Sequence, residues 1–193
     1  MVKSGNDGYA ISNDPMPLTL TNELKYVDTT ISYGLMSNAG SWTKLTNPSQ
    51  GVTSTSRLGD RAALIRLELS GYYNVYGGNA DVIRMIILQT KGLFTSAPAV
   101  TDVLSAVQPV SNYVYNARDL YDIIHDEQFT MCPTGDTAIQ QRRFSVKPRI
   151  RDMKFVSGSN NVYNGQIYLL FLCSNASNAS YAMNIRAWFE DSN

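Results

Sequence analysis

Along most of this chain, hydrophobic and polar positions change places every second residue. That period sends successive side chains to opposite faces of a β-strand. From Leu24 to Met36 the strand formers Val27, Thr29, Ile31, Tyr33 and Leu35 share one parity. Between Arg61 and Asn74, Ala63, Ile65, Leu67 and Leu69 point one way, and Arg66, Glu68 and Ser70 the other. Val82–Thr90, apart from Arg84, and Gln166–Cys173 are apolar on both parities, which predicts strands covered on both faces. Leu120–Cys132 reads as a strand with a polar centre at His125–Gln128. Tyr181–Glu190 closes the chain with Tyr181, Met183, Ile185, Ala187 and Phe189 inward and Asn184, Arg186 and Glu190 outward.

One further alternating stretch, Gln141–Ile150, puts Phe144, Val146, Pro148 and Ile150 on one side and Arg143, Ser145, Lys147, Arg149 and Arg151 on the other. The phase then flips at Arg151–Asp152. Met153–Val156 is therefore a separate strand beyond a turn or bulge.

The connections are uneven. Gly77–Gly78–Asn79, Pro133–Asp136, Ser157–Asn161 and Asn175–Ser180 read as turns or short loops. Ser37–Asp60 is long, with a short strand around Trp42–Leu45. Lys91–Asp119 is longer still, and holds the one helix the spacing predicts, Val100–Val107, with Thr101 as its cap. Eight strands, one short helix, no βαβ rhythm and no internal repeat predict an all-β, antiparallel, eight-stranded sandwich of two sheets. Residues 1–21 are expected to form a flexible N-terminal arm, and residues 22–193 a single domain.

Charge sharpens one stretch only. The 193-residue chain is 44% hydrophobic and carries 16 Lys+Arg against 16 Asp+Glu, so its formal net charge is zero. That is unlike a free nucleic-acid-binding domain, which is usually basic. Yet Arg142–Lys154 holds six of the cations and one acid, Asp152. The bland reading of such a run is a solvated strand face. The sharper one is a row of cations facing phosphates, which needs no base readout and is salt-sensitive. Arg142, Arg143, Lys147, Arg149 and Arg151 are the residues assigned to that contact, with salt bridges between neighbouring copies as the alternative.

Little else carries chemistry. Cys132 and Cys173 match no metal spacing, His125 is the one histidine, and two reduced, buried thiols are expected, with a Cys132–Cys173 disulfide as the alternative. Strand alternation splits His125 from Asp126 across a sheet, so no catalytic residue is assigned and no enzyme is expected. Asp122, Asp126 and Glu127 are the candidate ligands for a structural calcium at a subunit contact; no other metal or cofactor is expected. No apolar run is long enough for a transmembrane helix, and Met1–Asp14 lacks the apolar core of a signal peptide. Asn175-Ala-Ser and Asn178-Ala-Ser are formal glycosylation sequons, which matter only on a secretory route.

The order of segments GDRAALIRLELSG, VIRMIILQTKG, PAVTDVLSAV, YDIIHDEQFTM, RRFSVKPRI and VYNGQIYLLFLCSN resembles the single jelly-roll capsid proteins of small circular Rep-encoding single-stranded DNA (CRESS-DNA) viruses. It is also similar to the coat proteins of satellite plant viruses such as satellite tobacco necrosis virus. The likeness runs from about Leu24 to the C-terminus. It implies a jelly roll whose eight strands, in order, are Leu24–Met36, Arg61–Asn74, Val82–Thr90, Leu120–Cys132, Gln141–Ile150, Met153–Val156, Gln166–Cys173 and Tyr181–Glu190. It implies a homo-oligomer of about sixty copies in a T=1 icosahedral shell around a single-stranded genome, DNA rather than RNA. The virion, with assembly in host nucleus or cytoplasm, is the implied location, and no membrane is involved.

Such proteins usually begin with a Lys/Arg-rich arm. Here residues 1–60 carry only Lys3, Lys25, Lys44 and Arg57 against five acids. The expectation is that residues 1–21 are the remnant of a truncated basic arm, the alternative being a shell that relies on the cations of its inner face. Contacts between copies are expected from Ser37–Asp60, Lys91–Asp119 and Pro133–Gln140, with Trp42, Tyr113 and Tyr115 as aromatic anchors or, alternatively, as core under the loops. The competing reading is a non-enzymatic β-sandwich module binding carbohydrate or a receptor. The twelve tyrosines suit it, but Tyr72, Tyr73 and Tyr76 sit at a strand end rather than in an obvious planar row.

Overall fold

The computed structural model describes residues 23–76, 79–92, 94, 96–133, 137–147, 152–175 and 179–191, with residues 137, 138, 142 and 144 described by backbone alone. The expected arm at residues 1–21 lies outside them.

The elements run β1 (Lys25–Leu35), β2 (Ser41–Lys44), β3 (Ser49–Gln50), β4 (Ser56–Arg57), β5 (Arg61–Tyr76), β6 (Asp81–Thr90), α1 (Val100–Val103), α2 (Ala117–Leu120), β7 (Tyr121–Met131), β8 (Thr137–Val146), β9 (Asp152–Phe155), β10 (Val162–Asn164), β11 (Ile167–Cys173) and β12 (Ala179–Asp191). Sheet A runs β1-β12-β5, with β8 and β9 both on the far edge of β5 and β10 beyond β9. Sheet B runs β2-β11-β6-β7. Within both sheets every pair is antiparallel.

The pairing is nested. β1 pairs β12, β2 pairs β11, β5 pairs β8 and β9, and β6 pairs β7. The chain is thus one long folded-back ladder wrapped into two sheets, the jelly roll. This shifts the strand order expected from the sequence. The second strand of the winding is the four-residue β2, not Arg61–Tyr76, which is third. β8 and β9 both pair with β5 and together take the sixth place; the break expected at Arg151–Asp152 falls in part on Arg151, which lies outside the described residues. β8 also starts earlier than expected, at Thr137 rather than Gln141.

Three register irregularities change which side chains face inward. In β5 the register skips Ile65, between Leu64 and Arg66. Ala62 and Leu64 are therefore buried before it, and Leu67 and Leu69 after it, so Ala63 and Ile65 leave the core row that the alternation predicted. In β1 the register shifts between Ile31 and Gly34. Val27 and Ile31 pack on the core, but Tyr33 and Leu35 are exposed. Gly34 is required there because a Cβ would meet the Tyr181 ring at 2.5 Å. In β7 the register skips Ile124, opposite Ile87–Leu88.

Two cores result. Between the sheets lie Leu64, Leu67, Leu69, Tyr73, Ile83, Met85, Ile87, Phe171, Tyr181, Met183, Ile185 and Phe189, with Phe171 and Tyr181 stacked at 3.9 Å. The second core sits on the outer side of sheet B, where Ile86, Leu88, Tyr168, Leu170 and Leu172 meet Val100, Val103, Leu104, Ala117 and Tyr121. The long excursion after β6 is its roof. The helix expected over Val100–Val107 stops at Val103, because Leu104 turns into an isolated bridge with Tyr113. A second short helix, α2, occupies the end of the excursion up to Leu120, so β7 starts one residue later than expected.

Candidate interaction faces

β6 is buried on both sides, and its one cation, Arg84, has to be satisfied within the second core. It donates to Asp126 through Nε at 2.8 Å and Nη2 at 2.7 Å. Nη1 donates to the carbonyls of Pro109 at 3.1 Å and Ser111 at 2.5 Å. The Tyr113 ring lies 5.1 Å from the guanidinium carbon, and its hydroxyl donates to Asp126 Oδ2 at 2.6 Å. Burial alone raises the Asp126 carboxyl, but the bonds from Arg84 and Tyr113 outweigh it and hold the group below its ordinary value. Burial and the Asp126 carboxylate push the Tyr113 hydroxyl upward. A paired charge on the sheet thus fastens the roof.

The aromatic anchors divide accordingly. Trp42 and Tyr113 pack against the second core, and Tyr115 is 97% exposed. Of the candidate calcium ligands, Asp126 is engaged by Arg84 and Tyr113. Glu127 lies 3.8 Å from the His125 imidazole. The register places His125 and Glu127 opposite Ile87 and Met85 of the main core and Asp126 opposite Ile86 of the second, so the sheet separates His125 from Asp126. Among the described residues no three His, Cys, Asp or Glu side chains form a metal-binding group. Both cysteines are free, but Cys132, one residue past the end of β7, is exposed rather than buried as expected; Cys173 is buried, its thiol pushed up to about 12 by burial and by the Asp81 charge.

The outer face of sheet A carries no such roof among the described residues. Its side chains follow from register. Asp28, Arg186 and Glu68 make one rung; Thr30, Asn184, Ser70 and Arg143 the next; Leu35, Ser180, Asn74 and Ile139 one near the far end. Three zones follow along the strands. At one end, Arg186 forks onto Asp28 at 2.8 Å through both Nε and Nη2 and lies 4.2 Å over the Tyr26 ring. Arg66 lies 4.9 Å over Trp188 and 3.1 Å from Glu68. The Arg186 bonds hold the Asp28 carboxyl below its ordinary value.

In the middle, the small side chains Thr30, Ser32, Ser70, Ala182 and Asn184 leave a hollow of about 650 Å³, walled by Tyr72, Gln141 and Arg143. Gly71 beside it has to be glycine, because an added Cβ would overlap the Ala182 carbonyl oxygen of the paired strand. At the far end, Tyr33, Leu35, Tyr72, Tyr76 and Ile139 are exposed. Tyr76 reaches back across the sheet to Ser180, hydroxyl to hydroxyl at 3.2 Å.

The expected cation row is placed in part. Arg143 and Lys147 are exposed, on the parity the sequence predicted, and among the described residues neither has an acidic partner. Arg142 pairs with Gly71, one position out of phase with Arg143, and its side chain is outside the described set. Arg149 and Arg151 lie outside the described residues. What the sequence reading missed is the apolar end of this face. Tyr72 and Tyr76 continue the outward parity of Glu68 and Ser70, so that signal was present; Tyr33 and Leu35 were hidden by the irregularity beside Gly34.

No family model and no curated protein matches the chain. Among solved structures, one titled Desmodium yellow mottle tymovirus is similar over 96% of this chain and 98% of that chain, at 10% identity and a TM-score of 0.38.

Proposed function

We propose that the chain is a capsid protein: a structural subunit that associates with copies of itself into a closed shell around a genome. The observation that supports this best is the contrast between the sheets. One outer face is roofed by the chain's own loop, while the other presents exposed apolar side chains and unpaired cations with no cluster of catalytic or metal-binding groups among the described residues. Such a face suits association rather than catalysis.

In its finer form the reading takes about sixty copies in a T=1 shell, closed by point symmetry. The enclosed genome is single-stranded, DNA by the sequence resemblance. Arg143 and Lys147, with Arg142, Arg149 and Arg151 along the same stretch, contact its phosphates. Each copy binds weakly, and repetition around the shell multiplies the contact. The virion is the location that follows.

Size-exclusion chromatography followed by negative-stain microscopy tests this. The expected result is closed particles of uniform diameter with an absorbance ratio at 260 to 280 nm above that of protein alone. A 21.4 kDa species at every salt concentration, with no particles, contradicts it.

A further inference from the structure

The apolar end of the sheet A outer face is a surface feature that the fold does not explain. Tyr33, Leu35, Tyr72, Tyr76 and Ile139 are 59, 53, 41, 37 and 66% exposed. They come from β1, β5 and β8, and Ser180 and Ala182 of β12 fill the space between them. Taking roughly 200 Å² for a whole large side chain, the five expose about 500 Å². That matches the largest patch of a typical monomer, which is often functional. With a polar rim it approaches the ~800 Å² that each partner contributes to a standard interface.

We propose that this end of sheet A docks a second copy of the same chain about a two-fold axis. Three observations select that occupant. First, the five side chains are uncharged, and the Asp28, Glu68, Arg66 and Arg186 charges lie at the opposite end of the face. The one charge at the hollow, Arg143, stands on its wall two rungs from Leu35 and Ile139, so copies meeting at these five side chains oppose no like charges, which opposed strands penalise. Second, the patch holds both a projection and a recess. Tyr33, Leu35 and Ile139 stand out beside the hollow of about 650 Å³ that Tyr72 walls. An isologous contact uses one patch twice and needs that self-complementarity. Third, Thr30, Ser32, Gln141 and Asn184 around the hollow supply the polar rim that surrounds an apolar interface centre. The inference deepens the shell reading and relies on it only for the larger assembly: the two-fold dimer is its elementary step.

The test is the dissociation constant of the dimer, measured by mass photometry and light scattering at high salt, where charge contacts are screened. Leu35→Asp and Ile139→Asp stand on separate strands, and both side chains are exposed, so each variant should keep the wild-type circular dichroism and urea midpoint. Each is expected to weaken dimerisation by about 100-fold or more, the effect of losing a central contact. Val52→Asp, at an exposed apolar position outside the face, should leave it unchanged. A dimer unaffected by both face variants overturns the proposal, as does a wild-type chain that never dimerises.

The outcomes separate the two readings. Particles that form normally from both variants leave the shell and remove the patch. A dimer that needs Leu35 and Ile139 but builds no particle leaves the patch and removes the shell. Variants that self-associate normally yet lose nucleic acid make nucleic acid the occupant and overturn the proposal.

Discussion

Sheet A and sheet B are built from the same two-residue alternation, yet their outer faces have opposite fates. Sheet B has apolar residues on both sides of β6 and β11, so its outer side must be covered, and the chain spends its longest excursion doing so. Sheet A has polar residues on the outer side of β5 and β12, so it needs no roof, and none of the described residues covers it. The lesson concerns charge. Arg84 on the roofed face is locked into Asp126, Tyr113 and two carbonyls, whereas Arg143 and Lys147 on the bare face have no acidic partner among the described residues. The first kind of cation holds the fold, and the second is free for something else.

The strongest way to break that distinction is Arg84→Ala. It leaves the Asp126 carboxylate with the Tyr113 hydroxyl alone and takes the donor from the Pro109 and Ser111 carbonyls, a loss of about 3–5 kcal/mol for a largely buried pair broken on one side. Urea unfolding should show it, and limited proteolysis should then cut within residues 91–119. Acid should imitate the effect more gently. The folded-state pKa of Asp126 is depressed, so its contribution is fully present above the ordinary carboxylate value of 3.8 and is lost as pH falls through the lower folded value. Arg84→Ala should remove that acid-dependent step from the stability profile.

Next in size is Leu104→Ala, which opens a cavity between roof and sheet. Leu104 is fully buried, so about 2–5 kcal/mol should be lost on urea unfolding. On the bare face, Tyr72→Ala should change monomer stability by less than ~0.5 kcal/mol, as surface replacements usually do. It should nonetheless weaken association in light scattering, since Tyr72 walls the hollow. Smallest in stability is the pair Arg143→Ala with Lys147→Ala. The urea midpoint should stay where it is while the nucleic-acid content of particles, read from the 260 to 280 nm ratio, falls. If assembly itself is abolished, these cations belong to a protein–protein contact.

How far this contrast could be seen in the sequence depends on the strand. β12 was legible residue by residue, because its inward Tyr181, Met183, Ile185, Ala187 and Phe189 never slip phase against β5 until Trp188–Phe189. The doubly apolar β6 and β11 correctly announced a covered face, and the parity of Arg143, Ser145 and Lys147 was right. Three things were not legible. An irregularity such as those at Ile65, Ile124 or Ser32–Tyr33 adds one unpaired residue without any side-chain signature, so the parity on its far side reads wrongly. β2 was expected as a short strand around Trp42–Leu45, but its place in the winding was not, since only its pairing with Tyr168–Phe171 of β11, more than a hundred residues away, makes it a member. The patch unites residues from three strands that only long-range register brings together, which no local pattern encodes.

The claim that joins these observations is that the bare face of sheet A is covered only when copies of the chain associate. Hydroxyl-radical footprinting of assembled and dissociated protein reads this directly. The account predicts strong protection of Tyr33, Tyr72 and Tyr76 on association, with Tyr121 and Tyr168 under the roof labelled equally little in both states. Equal labelling of Tyr33, Tyr72 and Tyr76 in the two states would contradict it.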